Sequence, residues 1–97
     1  MKQPAVYILA SRPNGTLYTG VTSALVQRTW QHRSRIGPGF TGRYACKRLV
    51  WFELHETMEY AILREKQIKA GSRTKKIALI ETANPAWRDL YDDIAHP

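Results

Sequence analysis

Glu65 interrupts an apolar stripe. On a helix starting at Met58 the stripe runs Met58, Ala61, Ile62, Glu65, Ile68 and Lys69, so a carboxylate occupies a place that the helical period assigns to an apolar group. A buried lone carboxylate is expensive, so it must meet a cation, a metal ion or water in a cleft. An ion pair with an arginine, or exposure at the rim of the stripe, would satisfy it as well. Arg28 and His32 raise the same question. They share a stripe with Leu25 and Thr29, where a small domain normally buries leucine or isoleucine. The alternative is a narrow apolar face of Val26 and Trp30, with Arg28 and His32 reaching outward along their stems. Tyr7 and Tyr18 lie in strand-like runs, where tyrosines usually fill the core and bring the hydroxyl to its edge. Convergence is what gives these residues a joint meaning. Two phenols, a guanidinium, an imidazole and one carboxylate at a single sheet edge form a set suited to cutting a phosphodiester with one divalent metal ion.

The elements that must position them can be read from pattern. Ala5–Ala10 (AVYILA) is a buried strand and Thr16–Thr22 (TLYTGVT) alternates as a second. Ser11-Arg12-Pro13-Asn14-Gly15 joins them with turn chemistry. If Asn14-Gly15 forms a two-residue loop, odd positions of the first strand share a face with even positions of the second. Tyr7 and Tyr18 then lie on the same side. Ser23 can cap a helix to about Arg33, and Gly37 to Lys47 reads as a cation-rich loop. Arg48–His55 is the strongest strand. Met58 to about Lys69 is a helix opened by Thr57 and closed by Gly71, and Thr74–Thr82 is another. Asn84-Pro85 then opens a last helix, with Asn as cap and Pro at the first helical position. The order β-β-α-β-α-α-α predicts an α/β (α+β) sandwich, a three-stranded antiparallel sheet flanked by helices, with residues 1–97 as one domain.

Composition narrows the function classes. The chain of 97 residues has 15 Lys+Arg against 8 Asp+Glu, a formal charge of +7, and no acid before Glu53. An acid-free half is hard to obtain from solubility alone and favours a polyanionic partner, because each cation on a phosphate releases condensed counterions. Arg33, Arg35, Arg43, Lys47, Arg48, Lys66 and Lys69 are the expected nucleic-acid contacts. A lone Cys46 rules out a disulfide framework and a multi-cysteine zinc site, and it has no obvious base beside it. His32, His55 and His96 lack ligand spacing. No GxxxxGK[ST] loop supports nucleotide hydrolysis. Trp30, Trp51 and Trp87 are expected in the core. No apolar run approaches a membrane span and the first residues do not resemble a signal peptide, so a cytoplasmic protein is expected.

These residues also carry a resemblance. Val6-Tyr7 within AVYILA, followed eleven residues later by Tyr18-Thr19-Gly20, resembles the paired signature of the GIY-YIG endonuclease superfamily. Arg28 and His32 in LVQRTWQH, Glu65 in REKQIK and Asn84 in NPAW agree with it, so the match spans about residues 4 to 88. The chain is most similar to small stand-alone bacterial members, which resemble the incision domain of the excision-repair nuclease. The resemblance implies metal-dependent hydrolysis of DNA in repair or recombination. One of Tyr7 and Tyr18 would help deprotonate the attacking water, with Arg28 on the phosphate and His32 near the proton path. Glu65 would hold a single Mg²⁺ or Mn²⁺, and Asn84 would support the metal or phosphate side.

Ala5-Val6 stands in place of Gly-Ile and Thr19 in place of Ile, changes that leave every chemical group intact. No segment of the chain is left over for a second, sequence-reading domain, and phosphate contacts position without reading sequence. Weak sequence preference, or preference for a flap, branch or single strand, is therefore expected, with RNA as a second possible substrate. The rival expectation is a non-catalytic nucleic-acid-binding module with the same fold.

Overall fold

The computed structural model describes residues 3–34 and 46–96. Most of the loop expected at 37–47, with Arg35 and Arg43, lies outside them. Three strands, β1 (Ala5–Ala10), β2 (Leu17–Thr22) and β3 (Arg48–Leu54), form an antiparallel sheet in the order β2-β1-β3. Helices α1 (Leu25–Ser34) and α4 (Tyr91–Ala95) accompany one face; α2 (Met58–Ala70) and α3 (Arg73–Ala83) accompany the other. β1 is central and covered on both faces, which is why it reads as an unbroken apolar run. Its odd positions Ala5, Tyr7 and Leu9 pack with Leu25 and Leu49. Its even positions Val6, Ile8 and Ala10 pack with Ala61, Ile68 and Ile80.

The hairpin differs from expectation in length and agrees in parity. Its loop is Arg12–Gly15, bracketed by a hydrogen bond from Ser11 N to Thr16 O at 3.0 Å and tightened by Gly15 N to Arg12 O at 2.9 Å. Asn14 takes the positive φ of 58° that such a loop requires. Lengthening the loop from two residues to four moves the register by an even step, so each side chain keeps its face. Tyr7 pairs with Gly20 and Leu9 with Tyr18, leaving Tyr7 and Tyr18 as diagonal neighbours on one face.

The helix starts depart more clearly. α1 begins at Leu25, and Thr22 Oγ1 rather than Ser23 accepts from the Ala24 amide at 3.0 Å. Thr57 does cap α2, accepting from Tyr60 N. Gly71 ends α2 at φ −79°, so its glycine is not needed for a left-handed turn. No helix starts at Pro85. Asn84 instead terminates α3, its carbonyl accepts from Trp87 N at 3.0 Å, and Trp87 turns to φ 56°. A right-handed helix cannot pass through that conformation. Burial of the Trp87 ring in the core, and its indole N–H donating to Glu81 Oε2 at 2.9 Å, hold it there.

Asn84 is the tie between this segment and the sheet. Between Ile8 and Leu9 the β1–β3 register slips, leaving Val50 as the extra residue of a bulge. Asn84 Nδ2 donates to Val50 O at 3.1 Å and to Arg88 O at 2.9 Å, while Oδ1 accepts from Arg88 N at 3.0 Å. All three partners are main-chain atoms and the residue is buried. Asn84→Ala should therefore cost about 2–4 kcal/mol, since a buried carbonyl and amide lose their partner. Denaturant unfolding measures this.

Candidate active site

The stripe on α1 faces inward. Leu25 and Thr29 are buried and Arg28 and His32 half-buried, whereas Val26 and Trp30 are 40% and 47% exposed. Trp30 thus departs from the expected core position that Trp51 and Trp87 do occupy. Thr29 can sit in apolar surroundings because its hydroxyl donates to Leu25 O at 2.8 Å.

This face brings four of the expected residues together. Tyr7 Oη lies 3.4 Å from His32 Nε2, with the two rings edge to face at 6.0 Å. The Tyr18 ring stands 6.3 Å from Tyr7 and 5.1 Å from His32, so the three rings form a triangle. Arg28 hydrogen-bonds the Tyr7 side and also reaches Gln31 Oε1 at 3.4 Å. Gly20 makes the triangle possible: a Cβ there would lie 2.5 Å from both Cζ and the hydroxyl of Tyr7. The glycine beside the second tyrosine thus leaves room for the first.

Electrostatics divides the work among these groups. Burial pushes the Tyr7 phenol up to about 12, and the hydrogen bond from Arg28 only partly opposes it. Tyr7 is therefore a proton-bearing donor at neutral pH, and Arg28 alone does not make it a base. The same contact with Tyr7 raises Arg28 above its already high value. Burial, reinforced by the positive charge of Arg28, lowers His32 from 6.5 to about 4. A neutral imidazole results, able to accept a proton. Because the folded value lies below the unfolded one, this group favours the folded state fully above pH 6.5 and progressively less as pH falls toward 4. His32→Gln should flatten that part of the thermal-midpoint profile, measured from pH 7 to pH 4 by circular dichroism.

Glu65 stands on α2, across the sheet edge from the rings. Its side chain is 15% exposed and bonded to Lys69 Nζ at 3.0 Å, so the partner is a lysine one turn on rather than an arginine. Lys69 in turn lines a cleft of about 590 Å³ along β2 with Thr16, Leu17, Tyr18, Thr19, Arg73 and Lys76. Tyr18 thus belongs both to the ring triangle and to the cleft at whose wall Glu65 is paired. Among the described residues no three His, Cys, Asp or Glu side chains cluster to hold a metal ion.

The remaining expected cations are scattered. Arg33 is paired with Asp89 and lies over the Tyr91 ring at 4.6 Å. Arg48 turns back to donate to Trp87 O at 3.3 Å. Lys47 is half-buried and Lys66 is exposed. Asn84 is committed to the bulge of β3. Cys46 is buried, donates to Thr16 O at 3.4 Å, and has its thiol raised by burial, as suits an unreactive side chain.

The model of the GIY-YIG catalytic domain matches residues 3–78. The chain belongs to this family of nucleases. A UPF0213 protein of Staphylococcus saprophyticus is 34% identical over 80 residues, covering 82% of this chain and 96% of that protein. A UPF0213 protein of Staphylococcus aureus is 36% identical over 76 residues, covering 78% and 92%. The solution NMR structure of a UPF0213 protein from Bacillus halodurans superposes with a TM-score of 0.55 at 29% identity, covering 95% of this chain and 96% of that one. The matched span contains Tyr7, Tyr18, Arg28, His32 and Glu65 and stops before Asn84. No helix among the described residues is long and apolar enough to cross a membrane.

Proposed function

We propose that this chain is an endonuclease that hydrolyses phosphodiester bonds of DNA with a single Mg²⁺ or Mn²⁺, with little sequence preference, in repair or recombination. The observation that carries the reading is the double position of Tyr18, which touches Tyr7 and His32 on one side and shares a cleft with Lys69, the partner of Glu65, on the other. Glu65 is the residue that would hold the divalent ion. Its carboxylate is shielded, and its present partner is a half-exposed ammonium on a long side chain that can turn away. One carboxylate suits an ion that keeps most of its waters, and the bound ion would supply charge neutralisation at the phosphate.

The chain's own residues then have separate tasks. Arg28 presents a fork of N–H donors to the phosphate oxygens. Tyr7 remains protonated and donates a hydrogen bond that fixes the attacked group. Tyr18 opens onto the cleft, so of the two phenols it is the one that reaches the attacking water. Neutral His32 lies against both rings and receives the proton from that side. Asn84 acts as a positioning residue, through the bulge that sets β3 against β1.

A non-catalytic nucleic-acid-binding module is the second reading, and the Glu65–Lys69 pair favours it, since a purely structural carboxylate would be satisfied in this way. Incubating the protein with Mg²⁺ or Mn²⁺ and labelled duplex, flap, branched and single-stranded DNA, with an RNA arm, separates the two. Metal-dependent product establishes the nuclease. Binding without product on every substrate establishes the module.

A further inference from the structure

We propose that the cleft along the outer edge of β2 is the track of the nucleic-acid backbone, with Arg73 and Lys76 as phosphate contacts that join Lys69 in leading the strand to Tyr18. The inference rests on the nucleic-acid substrate argued above and adds where it lies. Three of the seven lining residues are cations and none is acidic. Glu65 reaches this group only by its bond to Lys69.

Arg73 and Lys76 are held in place without being neutralised, whereas Lys69 is paired with Glu65. Arg73 Nη2 donates to Asn14 O and Gly15 O, each at 2.7 Å, so it docks the β1–β2 loop onto the start of α3. Lys76 Nζ donates to Gly71 O at 3.1 Å. Carbonyls orient these side chains and leave their charge intact, with further N–H groups to donate. Stability alone argues against the arrangement. The first turn of α3 carries basic residues and no acid, where the helix dipole prefers negative charge. A polyanion in the cleft turns that local cost into attraction. The Thr16 and Tyr18 hydroxyls add neutral donors along the same wall. Tyr18 is the lone aromatic ring of the lining, which suits a backbone rather than a row of stacked bases.

The track also gives Lys69 two alternative partners. A phosphate that draws the ammonium into the cleft frees the Glu65 carboxylate, so strand entry and metal binding at Glu65 favour each other.

The test is binding of the full chain to labelled duplex DNA and duplex RNA by fluorescence anisotropy, in EDTA to prevent cutting, from about 50 to 200 mM salt. The variants are Arg73→Gln/Lys76→Gln and, as a control of equal charge, Lys75→Gln/Arg88→Gln. Lys75 immediately precedes Lys76 and lines the groove between α2 and α3, which Lys76 also borders, but it is not part of the β2 cleft. The cleft variant should lower the slope of log K against log salt by about 1.8, at roughly 0.9 per lost phosphate contact, and the control by less than half of that. Whichever polymer shows the difference is the one that uses the track. Equal losses in the two variants would overturn the proposal, because net charge would then account for binding. Absence of binding by the wild type to either polymer would overturn the nucleic-acid reading itself. If the loss of the Arg73 contacts unfolds the hairpin, Lys76→Gln alone carries the same test with an expected slope change of about 0.9.

Discussion

Glu65→Gln is expected to abolish metal-dependent cutting while leaving nucleic-acid binding equal or tighter. The substitution keeps the shape and removes the charge that would hold the ion. Loss of that electrostatic contribution corresponds to several kcal/mol at the transition state, or about 10²- to 10⁴-fold in rate. Folding should hardly change. The Glu65–Lys69 bond joins residues one helical turn apart with the ammonium 53% exposed, and such pairs contribute about 0.2–1 kcal/mol. Binding should hold or improve because formal charge rises by one from +7 and Lys69 is freed for the cleft. Single-turnover cleavage, anisotropy in EDTA and a thermal melt together decide the matter. A variant that melts as wild type and cuts at the wild-type rate would remove Glu65 from the mechanism.

The sheet and the tyrosine pair were legible because they depend on parity. Side chains alternate with a period of two, so a wrong loop length that errs by an even number leaves every face correct. The α1 stripe was legible for the corresponding reason in a helix, and the exposure of Val26 and Trp30 resolves which of its two faces turns inward. What the pattern did not reveal depended on tertiary partners. Asn84-Pro85 has the local chemistry of a helix start, but the bulge carbonyl at Val50 and the burial of Trp87 outcompete it. Arg73 and Lys76 stand outside the expected nucleic-acid contacts. Only the loop carbonyls of Asn14 and Gly15, remote in sequence, bring Arg73 to β2. A usable signal did exist, namely a capped helix whose first turn holds basic residues and no acid. Glu65 was expected to meet a cation, a metal ion or water, with an arginine as one alternative partner; the partner is Lys69 on its own helix, a residue expected as a nucleic-acid contact.

Arg28→Lys should lower the cleavage rate on the order of 10²-fold, the usual consequence of removing one donor aimed at developing charge. Charge is preserved, so the loss isolates geometry: an ammonium cannot offer two parallel N–H groups to a phosphate while a third contact remains on Tyr7. Arg28→Ala should fall further, and guanidinium salts added to the alanine variant should restore part of the rate while leaving Arg28→Lys unchanged. A role confined to packing would show no such rescue. The electrostatic coupling supplies a second readout that does not require turnover. Arg28 contributes the smaller part of the lowering of His32, after burial. Arg28→Ala should therefore raise the His32 midpoint in an NMR titration above about 4, yet leave it below 6.5 because burial persists, whereas Arg28→Lys should move it little. A His32 midpoint indifferent to the alanine substitution would place the guanidinium away from the imidazole, and with it away from the ring triangle on which the proposed chemistry depends.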